Sequence, residues 1–361
     1  MGRRTNTAVW LEDYKRWQIK VQKDGKRRTF TSSTPGRTGQ REANAKADAW
    51  LDEGVTNPNA KVRDIYPLWI QEKKDTTGRG NYEAIEYRFE KWVIPRIGHK
   101  KISSLTDQNL LDILNEALKQ GLAKKSISNI LADIKSFLRY CRRSRITTYN
   151  PEDVTVPKGA RSKEKDVLQP DDLKRLFTLD QTTLYKKRVF DDYIYAYRFQ
   201  TTTGLRPGEL RGLTWADIDL KNEIIYIKRA INRYNETTSG KNENAIRSFA
   251  LNKVTAKILR QQRALFLPGD RVFPISSTAN YWSRLQRFCF VNDIKAIAPY
   301  ELRHTFVSAV KSLPEAQVKE LVGHSKNMDT FGIYGHSYSG DKERTGSAVE
   351  EVFLGILGSG L

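Results

Sequence analysis

The sequence predicts a multidomain protein that is mainly α-helical and carries small β-sheets. Its 361 residues are enough for two or three domains. A strand-like alternation around an Asp-Gly turn stands near the amino-terminal end, and long apolar stripes with helical spacing follow it. A stretch rich in Pro, Gly and Lys then separates these stripes from a segment of mixed helical and strand patterns. We therefore expect three domains.

Residues 1–54 form the first predicted domain, a three-stranded sheet closed by a helix. Trp17–Val21 alternates, Asp24-Gly25 is a strong hairpin turn and Arg28–Thr31 pairs back, while Gln40–Leu51 has the composition of a helix. Four cations cluster at the hairpin: Lys23, Lys26, Arg27 and Arg28. Such a cluster is either merely solvated or part of a β-ribbon that enters a DNA major groove.

Residues 61–153 form a predicted helical bundle, because apolar residues recur with helical spacing. One helix is expected after a Thr106 cap, and a longer one after Ser126 carries the stripe from Ile127 to Cys141. The flank of this stripe is basic and could follow a DNA backbone. Its candidate DNA-binding residues are Lys124, Lys125, Arg139, Arg142 and Arg143, with Lys135 and Arg145 beside them.

Residues 154–166 are predicted to be a basic linker, since Val156–Lys165 has four cations and no apolar period. The linker either lies along DNA or is a charged tether that contacts nothing.

Residues 167–345 form the third predicted domain. A helix follows Pro170, an aromatic helix through Tyr193 and Phe199 leads to a bend at Gly204, and Pro207 favours the first turn of another helix. Glu209 is spaced to reach Arg206 and hold its guanidinium. Ile224–Leu251 indicates a small antiparallel sheet with a turn near Ser239.

Composition points to nucleic acid as the partner. The chain has 62 Lys and Arg against 42 Asp and Glu, a net charge of +20, and an isoelectric point near 9.8. Charge alone leaves two alternatives, which are a soluble basic protein with no nucleic-acid partner and a protein that binds acidic membranes. No apolar run is long enough for a membrane span or a signal peptide, so we expect a cytoplasmic protein with no membrane partner.

Cysteine and histidine usage predicts neither a disulfide framework nor a metal site. The two cysteines, Cys141 and Cys289, lie in apolar helical patterns, and the four histidines are far from cysteines or paired carboxylates.

Short motifs follow one another in a fixed order in the second half of the chain. They are TGLRPGEL at Thr203–Leu210, a basic hairpin segment with Lys241, LRHTF at Leu302–Phe306, LVGHS at Leu321–Ser325 and YGH at Tyr334–His336. This order resembles the tyrosine recombinase family of phage and conjugative-transposon integrases. Ile94–Ile102 is similar to the core-binding domain of that family, and residues 1–54 look like its arm-binding domains.

The resemblance implies a role for each of these residues. Tyr334 would attack the scissile phosphodiester and form a 3′-phosphotyrosine, and Lys241 would protonate the leaving 5′ oxygen. Arg206, Arg303 and His324 would hold the phosphate, with Glu209 supporting Arg206. Because a tyrosine hydroxyl has a pKa near 10, its attack needs such cations around the phosphate. The bond energy is stored in the tyrosine linkage, so no cofactor, ATP or metal is expected.

Two positions leave alternatives open. Most family members have histidine where this chain has Tyr300, which is either a group that positions the phosphate or a packing residue. Tyr338 is a rival nucleophile four residues beyond Tyr334, although the spacing from His324 and the Tyr-x-His pattern favour Tyr334.

The last predicted segment, residues 346–361, is a short apolar tail. It either docks onto a neighbouring protomer, as tails of the family do, or packs on its own domain.

The expected partners are double-stranded DNA at core and arm sites and further copies of this chain, four in the synapse. An excisionase or a DNA-bending host protein is a further candidate. The favoured function is an integrase that joins and excises a mobile element. One alternative is a DNA-relaxing topoisomerase with the same chemistry, but such an enzyme does not need an amino-terminal basic sheet. The other is a DNA-binding regulator without catalytic activity, but the complete set of predicted catalytic residues argues against it.

Overall fold

The structure is a computed structural model that describes residues 7–23, 26–52, 59–162, 165–238, 246–323 and 340–358. The chain divides into two compact units, residues 1–163 and 164–361, and this division falls within the segment predicted as a linker. Both units combine helices with small antiparallel sheets, so the predicted mainly α fold class is confirmed.

The first unit begins with a small sheet and one helix. Strands β1 (Val9–Leu11), β2 (Arg16–Lys23) and β3 (Lys26–Ser32) are antiparallel in that order. Helix α1 (Gly36–Asp52) starts four residues before the predicted Gln40. Alternate strand residues face α1 and form a small separate core of Ala8, Ile19, Val21, Ala43 and Ala47.

The other face of this sheet is polar. Because side chains alternate along a strand, the neighbours of the buried Ile19 and Val21 point away from α1. In register, Lys20 pairs with Thr29 and Gln22 with Arg27. The outer face of β2 and β3 therefore carries six hydrogen-bonding side chains: Gln18, Lys20, Gln22, Arg27, Thr29 and Thr31.

The remainder of the first unit is a helical bundle around a continuous apolar core, as predicted. Its helices are α2 (Val62–Thr76), α3 (Arg79–Arg88), a π-helical turn (Phe89–Val93), α4 (Ile94–Ile97), α5 (Asp107–Lys119) and α6 (Lys124–Arg143). The hydroxyl of Thr106 accepts the Asn109 N–H at 3.4 Å, so the predicted cap is present. Helix α6 begins at Lys124, two residues before the predicted Ser126.

The predicted linker is shorter in the structure, because its first half packs on the bundle. Val154 is fully buried and Ala160 is 8% exposed. The Arg161 carbonyl accepts the Lys124 N–H at 2.9 Å. The alternative of a tether that contacts nothing therefore does not hold for residues 154–161, although Lys158 and Arg161 are exposed. The segment has no apolar period in its sequence, yet Val154 and Ala160 join the apolar core of the helical bundle.

The second unit surrounds a core centred on α8 (Ile194–Thr203), in which Tyr197 and Phe199 are fully buried. The predicted small sheet is present, with strand order β10-β7-β6 and the pair Arg247–Ile227 in register. Its helices are α7 (Pro170–Thr178), α8, α9 (Pro207–Gly212), α10 (Lys253–Arg263), α11 (Thr278–Val291), α12 (Pro299–Ala309), α13 (Glu315–Val322) and α14 (Asp341–Leu357). Its strands are β4 (Gln181–Leu184), β5 (Lys187–Phe190), β6 (Ile218–Asp219), β7 (Ile224–Ile227), β8 (Ala230–Ile231), β9 (Thr237–Thr238) and β10 (Arg247–Ala250).

The apolar tail belongs to α14, which starts five residues before the predicted boundary at 346. Val349 and Phe353 are buried in the core of their own unit. The Phe353 ring stacks on Phe306 of α12, with centroids 6.3 Å apart and planes 12° apart. In this single chain the described part of the tail packs on its own domain.

No helix among the described residues is both long and apolar enough to cross a membrane. Cys141 and Cys289 are both buried free thiols.

Candidate active site

The first predicted arginine, Arg206, is fixed by the turn in which it lies. Gly204 ends α8 in the left-handed conformation, with φ of 65°, and Pro207 starts α9. Glu209 accepts the Arg206 backbone N–H at 3.0 Å and a guanidinium N–H from Nη1 at 2.7 Å. The predicted contact between Arg206 and Glu209 is therefore present, and the carboxylate both caps the helix and orients the arginine.

Gly204 is required for a second reason, which is lack of space. A Cβ atom at this position would lie 2.4 Å from a ring carbon of Phe306. Phe306 is one turn beyond Arg303 on α12, so this close approach brings the two predicted arginine segments together.

Arg303 is almost completely buried, with 2% of its surface exposed. Its Nη1 donates to the Gly204 carbonyl at 2.7 Å and its Nη2 donates to the Val322 carbonyl at 2.6 Å. Arg206 donates from Nη2 to the next carbonyl, that of Gly323, at 3.1 Å. Both predicted arginines therefore contact the end of α13, directly before His324 in the sequence.

Sequence reasoning missed a third arginine of this site, Arg247. It lies at the start of β10, and its side chain is only 7% exposed. Its Nη1 and Nη2 donate to the two oxygens of Glu209 at 3.2 and 3.0 Å, and its Nε donates to the Leu321 carbonyl at 2.8 Å. The available signal was Glu209, an acidic residue next to Arg206 that could also bind a second arginine.

The end of α13 thus binds three arginines in succession. The carbonyls of Leu321, Val322 and Gly323 accept from Arg247, Arg303 and Arg206 respectively. The last carbonyls of a helix have no partner within it and attract cations, so this end is suited to such contacts. The consequence is that the chain is anchored where His324 follows.

The charges of this cluster are stable at neutral pH. Burial would raise the pKa of Glu209, but hydrogen bonds and charge from Arg247, and then from Arg206, lower it below its ordinary value. Burial and the neighbouring Arg206 lower the pKa of Arg303 to about 10, so it remains charged. Two guanidinium groups bind the carboxylate of Glu209, and the charge of Arg303 lies near them, which gives a net positive site that suits an anion.

Tyr300 lies in the first turn of α12 and is 44% exposed. Its ring meets the His304 ring edge to face, with centroids 5.3 Å apart. Burial, and then the charge of Lys165, lower the pKa of His304 below its ordinary value, so this imidazole is neutral at pH 7. With this exposure, Tyr300 is a surface residue of α12 and is not part of the core.

Four residues that were predicted to take part in the chemistry, or to compete for it, lie outside the residues that the structure describes. Lys241, His324, Tyr334 and the rival Tyr338 all lie in the segments 239–245 and 324–339. Among the described residues, no group of His, Cys, Asp and Glu is arranged to hold a metal ion.

The predicted DNA-binding residues of the bundle separate into two groups. Lys124, Lys125 and Arg139 are exposed on α6. Arg142 instead donates to the Tyr149 carbonyl at 3.1 Å, and Arg143 forms an ion pair with Glu72. Arg142 thus holds the chain that follows α6, while the Arg143 side chain stays 63% exposed beside Glu72 of α2.

The predicted hairpin cations are also divided. Arg27 is exposed on the polar outer face of the sheet. Arg28 faces α1, with its guanidinium 5.4 Å from the ring centroid of Trp50. The backbones of Lys23 and Lys26 belong to β2 and β3, and their side chains are outside the described set. Arg28 therefore lies on the face opposite to Arg27, because side chains alternate along a strand, and it is exposed like Arg27.

Comparison with known families gives two matches. Residues 166–340 match the Phage integrase family, and residues 61–118 match the family described as Phage integrase, N-terminal SAM-like domain.

Curated relatives carry names of the same kind. The ICEBs1 integrase of Bacillus subtilis is 23% identical over 291 residues, which are 75% of this chain and 77% of that protein. A XerC-like tyrosine recombinase of Caldanaerobacter subterraneus is 22% identical over 402 aligned residues, covering 98% of this chain and all of that protein.

Solved structures share the fold. The Tn1549 transposon integrase, in complex with transposon right end DNA, matches with a TM-score of 0.66 and 18% identity over 82% of this chain and 100% of that one. The lambda integrase tetramer bound to a Holliday junction matches with a TM-score of 0.55 and 14% identity over 91% of this chain and 96% of that one. With the matched families and the arginine site, these similarities identify the chain as a member of the phage integrase family and a tyrosine-type site-specific DNA recombinase.

Proposed function

We propose that this recombinase integrates and excises a mobile element by cutting DNA with Tyr334. One observation carries the assignment of the site: Arg206 and Arg303 donate to the successive carbonyls of Gly323 and Val322 at the carboxyl end of α13, directly before His324 in the sequence. Relatives named as integrases of mobile elements support the biological setting.

In this mechanism the Tyr334 oxygen attacks the phosphorus, and the bond from phosphorus to the 5′ oxygen breaks. Arg206 and Arg303 bind the two non-bridging oxygens as charge builds up on them. A guanidinium has five N–H donors, so the two side-chain contacts that each arginine makes within the described residues leave donors for a phosphate. Fixed contacts on the other side of each group keep it oriented.

The remaining groups move protons. Lys241 protonates the leaving 5′ oxygen, and His324 hydrogen-bonds the phosphate. The proton of Tyr334 passes to water, the phosphate or His324, with Tyr300 as a positioning donor. The 3′-phosphotyrosine keeps the energy of the broken bond, and a 5′ hydroxyl from another strand reverses the attack without ATP or metal.

The amino-terminal sheet is proposed to bind arm sites through its polar outer face. Gln, Lys, Arg and Thr side chains there offer the donors and acceptors that read base edges in a major groove. Helix α6 is proposed to follow the backbone of the core site, with Lys124, Lys125 and Arg139 exposed for phosphates.

The working form is proposed to be a homo-oligomer on DNA, a tetramer in the synapse. The lambda integrase of similar fold is a tetramer in its Holliday junction complex. An excisionase or a DNA-bending host protein is a further partner, and the reaction takes place in the cytoplasm with the cell's DNA.

The first test is Tyr334→Phe on a DNA substrate with a nick next to the cleavage point, which traps the covalent product. Wild-type protein should form a covalent adduct, and the variant should form none while it still binds DNA, because only the nucleophilic oxygen is lost. Mass spectrometry of the trapped peptide locates the linkage. A phosphotyrosyl peptide at Tyr338 would contradict the assignment, and relaxation of supercoils without strand exchange would favour a topoisomerase.

The second test concerns Lys241 as the general acid. Lys241→Ala should cleave normal DNA slowly but should recover its rate when sulfur replaces the bridging 5′ oxygen. A thiol has a pKa of about 8.5, so a thiolate leaves without being protonated. The ratio of the two single-turnover cleavage rates is the measurement. Equal impairment on both substrates would show that Lys241 has another role.

A further inference from the structure

Arg247 has no role in the reaction as described above, yet it is the more buried of the two arginines that bind Glu209. Its side chain is 7% exposed, against 25% for Arg206 and 3% for Glu209. It binds both oxygens of Glu209, whereas the Arg206 side chain binds one. Arg247 is therefore the principal counter-ion of Glu209.

This arrangement determines the charge that a phosphate meets. Without Arg247, the carboxylate of Glu209 would neutralise Arg206, because a buried carboxylate needs a cationic partner. The set of Arg206, Arg303 and Glu209 would then have a net charge of +1. With Arg247 present, the four groups together have a net charge of +2.

That charge fits the proposed reaction. A phosphodiester monoanion attacked by a tyrosinate forms a transition state with two negative charges, which a doubly positive site stabilises more than the singly charged ground state. The effect should therefore act on the cleavage rate rather than on DNA binding, to which many distant phosphates contribute.

We infer that Arg247 is a positioning residue for DNA cleavage that compensates the charge of Glu209 and thereby leaves the positive charge of Arg206 to the scissile phosphate. Arg247 acts through Glu209 and does not need to touch DNA. This inference rests on the proposed function of the same site.

The first experiment measures single-turnover cleavage of the nicked substrate at saturating protein. Arg247→Met keeps the length of the side chain and removes its charge. We expect the rate to fall about 100-fold, the scale of losing one stabilising group at a transition state, while DNA affinity changes less than about threefold. An unchanged cleavage rate would overturn the inference.

A charge rescue separates compensation from structural support. Adding Glu209→Gln to Arg247→Met removes the carboxylate that needs a partner, so Arg206 and Arg303 regain a net charge of +2. The double variant should recover to within about tenfold of wild type, although the contact of Arg247 with Leu321 is still absent. If it is no faster than Arg247→Met, Arg247 only supports the structure and the inference is wrong.

A substrate with a methylphosphonate at the cleavage point provides an independent readout. Its phosphorus centre lacks the negative charge of one oxygen, so it depends less on positive charge in the protein. Wild type and Arg247→Met should cleave it at rates within about threefold of each other. A persistent 100-fold difference would contradict charge compensation.

Arg229 and Asp217 provide a matched control in the same domain. Asp217 is 1% exposed, caps Thr214 and is bound through both oxygens by Arg229 at 2.6 and 3.3 Å, as Glu209 is bound by Arg247. Arg229→Met should lower the melting temperature without a 100-fold loss of cleavage. An equal loss of cleavage in both variants would point to general destabilisation and overturn the inference.

Arg247→Lys covers the case in which Arg247→Met does not fold. The lysine keeps the positive charge but cannot bind both oxygens of Glu209 as the guanidinium does, and we expect a cleavage rate within about tenfold of wild type. A folded lysine variant with a 100-fold slower rate would overturn compensation. A wild-type chain with no adduct at all would overturn the proposed function as well, whereas a wild-type adduct with an unaffected Arg247→Met rate would overturn the inference alone.

Discussion

Glu209 is the residue on which the geometry of the site depends. It accepts from the backbone of Arg206 and from two guanidinium groups while almost fully buried. Because its pKa is lowered from 4.5, it contributes stability at pH values above 4.5 that is lost as the pH falls through the lowered value. The site is therefore fully charged throughout the neutral range.

Tyr300 is the residue at which this chain departs from the usual family pattern, and its exposure favours a role in phosphate positioning over packing. Tyr300→Phe should slow cleavage about tenfold, the scale of one hydrogen bond to a charged group, and Tyr300→His should restore it. Single-turnover cleavage of the nicked substrate measures both. A wild-type rate for Tyr300→Phe would show that the hydroxyl has no part in the chemistry.

Arg247 illustrates what residue-level sequence reasoning leaves out. Arg206 and Glu209 are three positions apart, so their contact follows from helix geometry and was predictable. Arg247 reaches the same carboxylate from 38 positions away. The pairing of β10 with β7 places Arg247 near Glu209, and the spacing of residues along the sequence does not predict this contact.

Helix α14 connects stability to the active site. Phe353 stacks on Phe306, and Phe306 fills the space that a side chain at Gly204 would need. The helix thus packs behind the segment that holds Arg206 and Arg303.

Phe353→Ala should lower the free energy of unfolding by about 3–5 kcal/mol, because it opens a cavity behind α12. Urea denaturation of the chain without DNA measures the change. The exposed Glu351→Ala serves as the control and should change stability by less than about 0.5 kcal/mol. If Phe353→Ala leaves the stability intact but weakens self-association, the helix is exchanged between protomers in solution, contrary to this structure.

The whole molecule is strongly basic, with a net charge of +20. Its described apolar residues form separate cores for the amino-terminal sheet, the helical bundle and the second unit. Because the first core shares no residue with the others, the amino-terminal domain can be removed without opening them.

Deleting residues 1–54 should preserve cleavage at the crossover site and abolish binding to a second, distinct DNA sequence. Footprinting of both proteins on element-end DNA, at two salt concentrations, measures the two activities. Arg27→Ala in the full chain is the point control, since Arg27 lies on the polar outer face. A truncated protein that protects every site of the full chain would show that this domain does not read arm sites.

The sequence by itself determined the fold class, the polar and apolar faces of the helices, the Thr106 cap and the Arg206–Glu209 turn. Each of these follows from local rules, which are side-chain periodicity, capping and backbone conformation. The tertiary structure alone decided that Arg247 shares Glu209, that Arg28 packs on Trp50, that residues 154–161 join the bundle and that α14 packs on its own unit. These depend on which distant surfaces meet, and contact across the chain is set by packing and strand register, which no short stretch of sequence contains.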